Sequence, residues 1–200
     1  IHADRKKIKD LKGLEHCVNL AELTLAGNEV SDLTALKDMK KLQLLDLARN
    51  KVADLKPLEH LKALQYLNLT QNEVKDLSPL AGLTNMKSLY LTKNKVEDLS
   101  PLKELKGAWT LYAGGNQIAR IDTIASLPRL SSIELSDNQI ADLKPLAGLK
   151  EMHLLFLRNN KIADLSPLVE AARTDAHGEK RWAPFLELSH AYKDKVAKGL

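Results

Sequence analysis

Asparagines recur at Asn28, Asn50, Asn72, Asn94, Asn116, Asn138 and Asn160, always 22 residues apart. A register this strict leaves few folds open. A unit of 22 residues cannot bury an apolar face by itself, so equivalent units must stack and share one core. The residues around each asparagine bear this out. Five before stand Leu23, Leu45, Leu67, Leu89, Leu111, Ile133 and Leu155; three before stand leucines, with Ala113 the one exception. Two after come Val30, Val52, Val74, Val96, Ile118, Ile140 and Ile162, and five after come leucines, with Ile121 in their row. Hydrophobic residues make up 44% of the chain but aromatics only 4%, as expected of a core built from one branched aliphatic at many equivalent positions.

Each unit reads as a short strand, a turn and a tight helical return. The segment x-Leu-x-Leu-x places its leucines on one face and its variable residues on the other. The return opens on Asp-Leu-x-Pro-Leu, as in Asp54–Leu58 and Asp98–Leu102. Proline suits the first helical turn, where its missing N–H would be unpaired anyway. Ser78, Ser100 and Ser166, just ahead of it, read as N-caps. A 22-residue unit leaves room for one or two turns of 3-10 or α helix. Stacked strands would pair about 4.8 Å apart as one parallel sheet. The asparagine sits where the chain turns inward, where it would bond backbone groups that neither sheet nor helix satisfies.

This pattern, Leu-x-x-Leu-x-Leu-x-x-Asn-x-Val/Ile-x-Asp-Leu-x-Pro-Leu, resembles the 22-residue subclass of leucine-rich repeats shared by bacterial internalins and phosphatase-regulator proteins. The resemblance covers about residues 1–170. It implies an α/β fold: a right-handed solenoid with a parallel sheet on its concave face and short 3-10 or α returns on its convex face. The division expected is residues 1–170 for the repeats, about seven full ones and a partial first, and 171–200 for a C-terminal cap.

The two ends and one interior repeat depart from the pattern. Extending the grid backwards puts Lys6 at the asparagine position, Ile1 and Ala3 within a strand, and Ile8, Asp10, Leu11, Leu14 and Cys17 in later columns. The chain thus starts in mid-repeat without a polar cap, and a natural polypeptide extending further towards the N-terminus is expected. Cys17, in a leucine column, reads as a small buried hydrophobe. After Leu168 the period breaks. A longer helix is expected from Leu168 to about His177, with Gly178 as its stop. A strand-like segment follows from Trp182 to Leu188, then a tail with Ala191, Tyr192, Val196 and Leu200 on one helical face. Trp182 and Phe185 read as packing for the cap. Repeat 108–129 carries Ala108 and Ala113 in place of leucines, Gly114-Gly115 before its asparagine, and Arg120 in the aspartate column. The small core residues suggest that Trp109 folds inward to fill the space; a local groove on the ligand face is the other reading.

Catalysis finds no support. The single cysteine excludes an intramolecular disulfide and a zinc cluster. The six histidines lack metal-ligand spacing; His16 and His60 share a column two repeats apart, about 10 Å by strand spacing and too far for one zinc. Gly114-Gly115 lacks the spacing and the lysine of a phosphate loop. The recurrent aspartates, Asp32 to Asp164, are repeat architecture on the turn. No catalytic residue, metal ligand or cofactor is therefore assigned. Thirty Lys and Arg against 26 Asp and Glu give a formal charge of +4, but the charges intersperse, so nucleic acid is not expected as a partner. No apolar run approaches the roughly 18 residues of a membrane span, so no membrane insertion is expected.

Function is expected on the outward strand positions. Four before each asparagine stand Thr24, Asp46, Asn68, Tyr90, Tyr112, Glu134 and Phe156; six before stand Glu22, Leu44, Tyr66, Ser88, Thr110, Ser132 and Leu154. Beside them run Arg49, Gln71, Lys93, Asp137 and Arg158. Every tyrosine but Tyr192 falls in these two columns. Tyr90 and Tyr112 would be adjacent rungs with Tyr66 diagonal, and with Asn68, Glu134, Phe156 and Arg158 they compose a candidate interface. The alternative is that the aromatics only stabilise the sheet through cross-strand contacts. The expected partner is a protein, with carbohydrate possible, and the chain is expected to be a monomer. The internalin resemblance implies a recognition module outside the cytoplasm (extracellular, cell-surface or periplasmic). A structural spacer in a longer chain and an intracellular regulatory subunit are the other readings.

Overall fold

The computed structural model describes residues 1–176 and 185–187. Its strands are β1 (Glu22–Thr24), β2 (Leu44–Asp46), β3 (Tyr66–Asn68), β4 (Ser88–Tyr90), β5 (Thr110–Tyr112), β6 (Ser132–Glu134), β7 (Leu154–Phe156) and β8 (Phe185–Glu187). They form one parallel sheet in chain order. Up to β7 the register advances by one repeat per strand, Leu23 opposite Leu45 and Leu45 opposite Leu67, so each sequence column stacks on itself. His2 adds an isolated parallel bridge to Thr24, placing Ile1–Ala3 at the strand position expected of them. At the other end Leu155 stands opposite Leu186. Of the features expected after Leu168, Gly178, Trp182, Leu188 and the tail 190–200 lie outside the described residues.

The leucine and isoleucine columns make one continuous interior. From Leu23 to Leu157 its members are all but inaccessible. Short 3-10 segments return the chain: Thr34–Leu36, Lys56–Leu58, Ser78–Leu80, Ser100–Glu104, Asp122–Ser126 and Lys144–Leu146. In the last repeat helix α1 (Ser166–Ala176) takes this place. Leu14–His16 forms the same turn in the first repeat. Cys17 is half-buried rather than fully enclosed, packed against the end of the core.

The serines do not act as the caps that their position suggests. From Thr34–Leu36 onwards each 3-10 segment is preceded by a core leucine or isoleucine, such as Leu55 or Leu77, and none has a side-chain cap from that residue. The aspartate one place earlier reaches over instead. Asp54 accepts the Lys56 N–H at 2.8 Å, Asp76 that of Ser78 at 2.8 Å and Asp142 that of Lys144 at 2.9 Å. These are Asx turns, in which a short carboxylate satisfies a backbone donor two residues on. The serines serve the aspartates: Ser100 Oγ donates to Asp98 at 2.6 Å and Ser166 Oγ to Asp164 at 2.7 Å. The Thr34, Ser78 and Ser100 hydroxyls, with the amides of the same residues, hold Asp32, Asp76 and Asp98 below the usual carboxylate range. At Asp164 the Ser166 amide contributes most.

The asparagines tie each repeat to its neighbours. Asn94 donates to Leu91 O of its own repeat at 2.9 Å and to Leu69 O of the preceding one at 2.8 Å. Its Oδ1 accepts the Val74 N–H at 2.9 Å. Asn50, Asn72, Asn116 and Asn138 repeat the arrangement, each nearly inaccessible to solvent. The residue just before each asparagine turns left-handed, with φ of 56° at Arg49, 57° at Gln71 and Lys93, and 66° at Gly115. Glycine tolerates that conformation; a side chain there carries about 1–2 kcal/mol of strain. The turn is needed to swing the asparagine inward, and the stack supplies the energy that offsets it.

Two outcomes are expected in denaturant unfolding. Asn94→Ala strands the buried Val74 N–H and removes two further bonds, costing about 2–4 kcal/mol; the same change at Asn160, which is only half-buried, costs less. The depressed carboxylates lend stability at neutral pH that is present above the unfolded value near 3.9 and lost as pH falls through their lower folded values. Unfolding free energy measured from pH 5 to pH 2 should fall over that window, and less steeply in Asp76→Asn and Asp98→Asn.

Candidate partner-binding face

The outward residues of each three-residue strand form the concave face, and stacking in register turns sequence columns into rows on it. Asn68 stands opposite Tyr90, and Tyr90 opposite Tyr112. Tyr66 lies diagonal to Tyr90 because it belongs to the column opposite Ser88. The three rings make one ladder. Tyr66 and Tyr90 have centroids 5.2 Å apart at 44°, and Tyr90 and Tyr112 are 5.3 Å apart at 78°, close to edge-on. All three are half-buried rather than tucked inside. Tyr112 Oη pairs with Ser132 Oγ at 2.9 Å. Partial burial raises the Tyr66 hydroxyl above its usual range, with Asp46 and Tyr90 adding to it. Burial and then Tyr112 do the same for Tyr90. The ladder therefore presents neutral hydroxyls and ring edges.

The polar members of the candidate site are engaged differently from what the sequence suggests. Glu134 accepts the N–H of Gly114 and the N–H of Ser136, both at 2.9 Å. A Cβ at position 114 would collide with that carboxylate, which explains the glycine there. Asn68 accepts the Thr70 N–H at 3.0 Å and donates to Asp46 at 3.2 Å, while Asp46 accepts the Ala48 N–H at 2.9 Å. These side chains satisfy strand-end donors that the ladder leaves open, and two of the proposed contact residues are thereby held by the backbone. Phe156 is half-buried at the far end of the row. Arg158 is exposed but stands one place earlier in its repeat than Arg49, Gln71, Lys93 and Asp137, so it is not a member of their row. That row is the left-handed one.

Trp109 corrects the inward expectation. It is 53% exposed, with the Lys87 ammonium 5.9 Å from its ring. The residue ahead of it, Ala108, already belongs to the core, as do Leu64, Met86 and Leu130 in the same column. The next position points out. The other occupants of Trp109's column are Ala21, Gln43, Gln65, Lys87, Ser131 and His153. That mostly polar column was the available signal. Arg120, in the aspartate column, makes no Asx turn; its Nε donates to Asp122 at 3.0 Å.

No group of three or more His, Cys, Asp or Glu among the described residues is placed to hold a metal ion. No described helix is long and apolar enough to cross a membrane.

A parallel open sheet, 3-10 returns and an asparagine ladder define a leucine-rich-repeat solenoid. The family profile described as Leucine Rich repeats (2 copies) matches residues 40–82, 62–104, 110–148 and 128–170. The chain belongs to the leucine-rich-repeat family, and within it is internalin-like. Internalin C2 of Listeria monocytogenes is 31% identical with a TM-score of 0.85, the match covering 92% of this chain and 79% of that one. A second Listeria internalin, InlF, is 29% identical with a TM-score of 0.76, over 92% of this chain and 58% of that one. The fold, at 22% identity and a TM-score of 0.70, is also that of the ectodomain of the Arabidopsis receptor kinase GASSHO1/SCHENGEN3. That match covers 79% of this chain and 20% of the receptor, whose structure is a complex with CASPARIAN STRIP INTEGRITY FACTOR 2. A comparison with curated proteins returned no match.

A double-mutant cycle checks the Glu134 clamp. Glu134→Ala and Gly114→Ala should each cost about 1–3 kcal/mol, because each leaves the same two N–H groups unpaired. Combined, they should cost little more than either alone. Additive losses would mean that the two positions act independently.

Proposed function

We propose that this chain is a non-catalytic recognition module that grips a protein partner on its concave face, with Tyr66, Tyr90 and Tyr112 as the anchor. The contiguous tyrosine ladder carries the reading. Three aromatics of a chain that is 4% aromatic meet on one outward surface. Tyrosine is enriched where interfaces concentrate their energy, since a rigid ring brings area at low entropic cost and its hydroxyl bonds at the edge. Internalins supply the family context, and the plant receptor shows a repeat ectodomain of this fold holding a protein factor. Phe156 and Arg158 extend the proposed contact towards the C-terminal repeats. Asn68 and Glu134 shape its floor and sides rather than supplying free hydrogen-bonding groups.

The rings also touch one another, and such pairs contribute about 0.5–1.5 kcal/mol each. Stability and binding must therefore be read together. For Tyr90→Ala/Tyr112→Ala, a loss of binding energy of at least about 2 kcal/mol is expected, with a Tm drop no larger than the ring contacts explain. The measurement compares proteins captured by the intact chain and by the variant, with Tm of both. Equal capture by the two would support a spacer role instead.

A further inference from the structure

The two long edges of the solenoid carry opposite charge. In the four residues leading into each strand stand Lys40, Lys41, Lys62, Lys87, Lys106 and Arg129, followed by a Lys150–Glu151 pair that cancels. The four residues after each asparagine, on the other edge, hold nine carboxylates against five cations. All the cations of the leading edge are exposed except Lys87, which is half-buried against Trp109. Among the described residues only Lys106 of that edge is ion-paired, to Glu104 at 3.2 Å. On the opposite edge three lysines pair with glutamates, Glu29 with Lys51 at 3.0 Å, Glu73 with Lys95 at 3.0 Å and Glu97 with Lys75 at 2.9 Å, and the carboxylates stay in excess.

Trp109 stands in the middle of this unneutralised edge. It immediately precedes β5, so its backbone joins the ladder, accepting from the N–H groups of Ser131 and Ser132, both at 3.0 Å. Its indole is exposed on the basic rim, one residue ahead of the strand that carries Tyr112. A large aromatic left in water among cations marks an anchor site, because such rings are normally covered.

We infer that the partner overlaps this rim with an acidic polypeptide surface, which seats an apolar or aromatic side chain on Trp109 and sets its carboxylates against Lys87, Arg129 and their neighbours. This rests on the proposed recognition role and specifies the partner's chemistry. A polypeptide fits better than a polyphosphate because the floor beside the rim is lined by Glu22, Asp46 and Glu134, whose charge would repel a phosphate backbone. Carboxylates spaced along a peptide can meet the rim and keep clear of that floor. Opposite charge on the two edges would fix the direction in which the partner lies, since like-charge juxtaposition penalises the reversed pose.

Panning a random-peptide library against the intact chain tests this. The expected result is enrichment of sequences rich in Asp and Glu that elute at about 0.5 M salt, where screening is strong. Their binding should fall about tenfold or more in Trp109→Ser and in Lys87→Glu/Arg129→Glu, a loss of about 1.4 kcal/mol, with Tm unchanged because these side chains lie outside the core. Enriched sequences without acidic bias that depend only on Tyr90 and Tyr112 would overturn the rim's role and leave the concave reading standing. No enrichment would count against both. Tighter binding by heparin or a single-stranded oligonucleotide than by the acidic peptides would assign the rim to another polyanion and overturn the inference.

Discussion

The asparagine amide that spans two repeats is the interaction on which this architecture depends. A three-residue strand makes few ladder bonds, and the turn after it points carbonyls such as Leu25 O and Leu47 O into the core. Water cannot reach them there, and an unpaired buried carbonyl or amide costs more than a typical net hydrogen bond provides. Each asparagine serves its own turn and both a carbonyl and an amide of the repeat below, so no repeat is complete without its neighbour. Stability in such an array is a chain of nearest-neighbour terms, and the asparagine column contributes to every one of them. It also tolerates a left-handed residue immediately before it, at Arg49, Gln71 and Lys93, because the bonds it gains exceed the local strain.

With the inward columns fixed in this way, the outward ones are released from packing and can diversify. The concave face shows two uses of that freedom. Asp46, Asn68 and Glu134 bend back to bond strand-end amides, so part of the face that looks available for recognition is engaged by its own backbone. Tyr66, Tyr90 and Tyr112 pack on one another and leave edges and hydroxyls in solvent. The edges of the sheet diverge as well. One pairs three of its lysines with glutamates and keeps an excess of carboxylates, and the other carries mostly exposed cations with an exposed indole among them.

The repeat from 108 to 129 gathers most of the exceptions. Ala108 and Ala113 lighten its core, Gly114 makes room for the Glu134 carboxylate, and Arg120 removes an Asx turn that the other full repeats keep. The same repeat presents Trp109 and Tyr112 outward. Local rules tend to be broken where a surface is shaped for a purpose, and here the breaks coincide with the largest exposed aromatic surface in the described residues.

The sequence alone determined the period, the core columns, the parallel stacking and the outward columns, because a strict 22-residue register converts directly into which side chains share a face. It also determined that Tyr90 and Tyr112 would be neighbours, since one repeat along the chain is one strand across the sheet. What only the tertiary structure decided are contacts between different columns. The aspartates rather than the serines cap the returns because the residue between them is drawn into the core. Glu134 holds Gly114 of the preceding repeat, a contact 20 positions away that no periodicity announces.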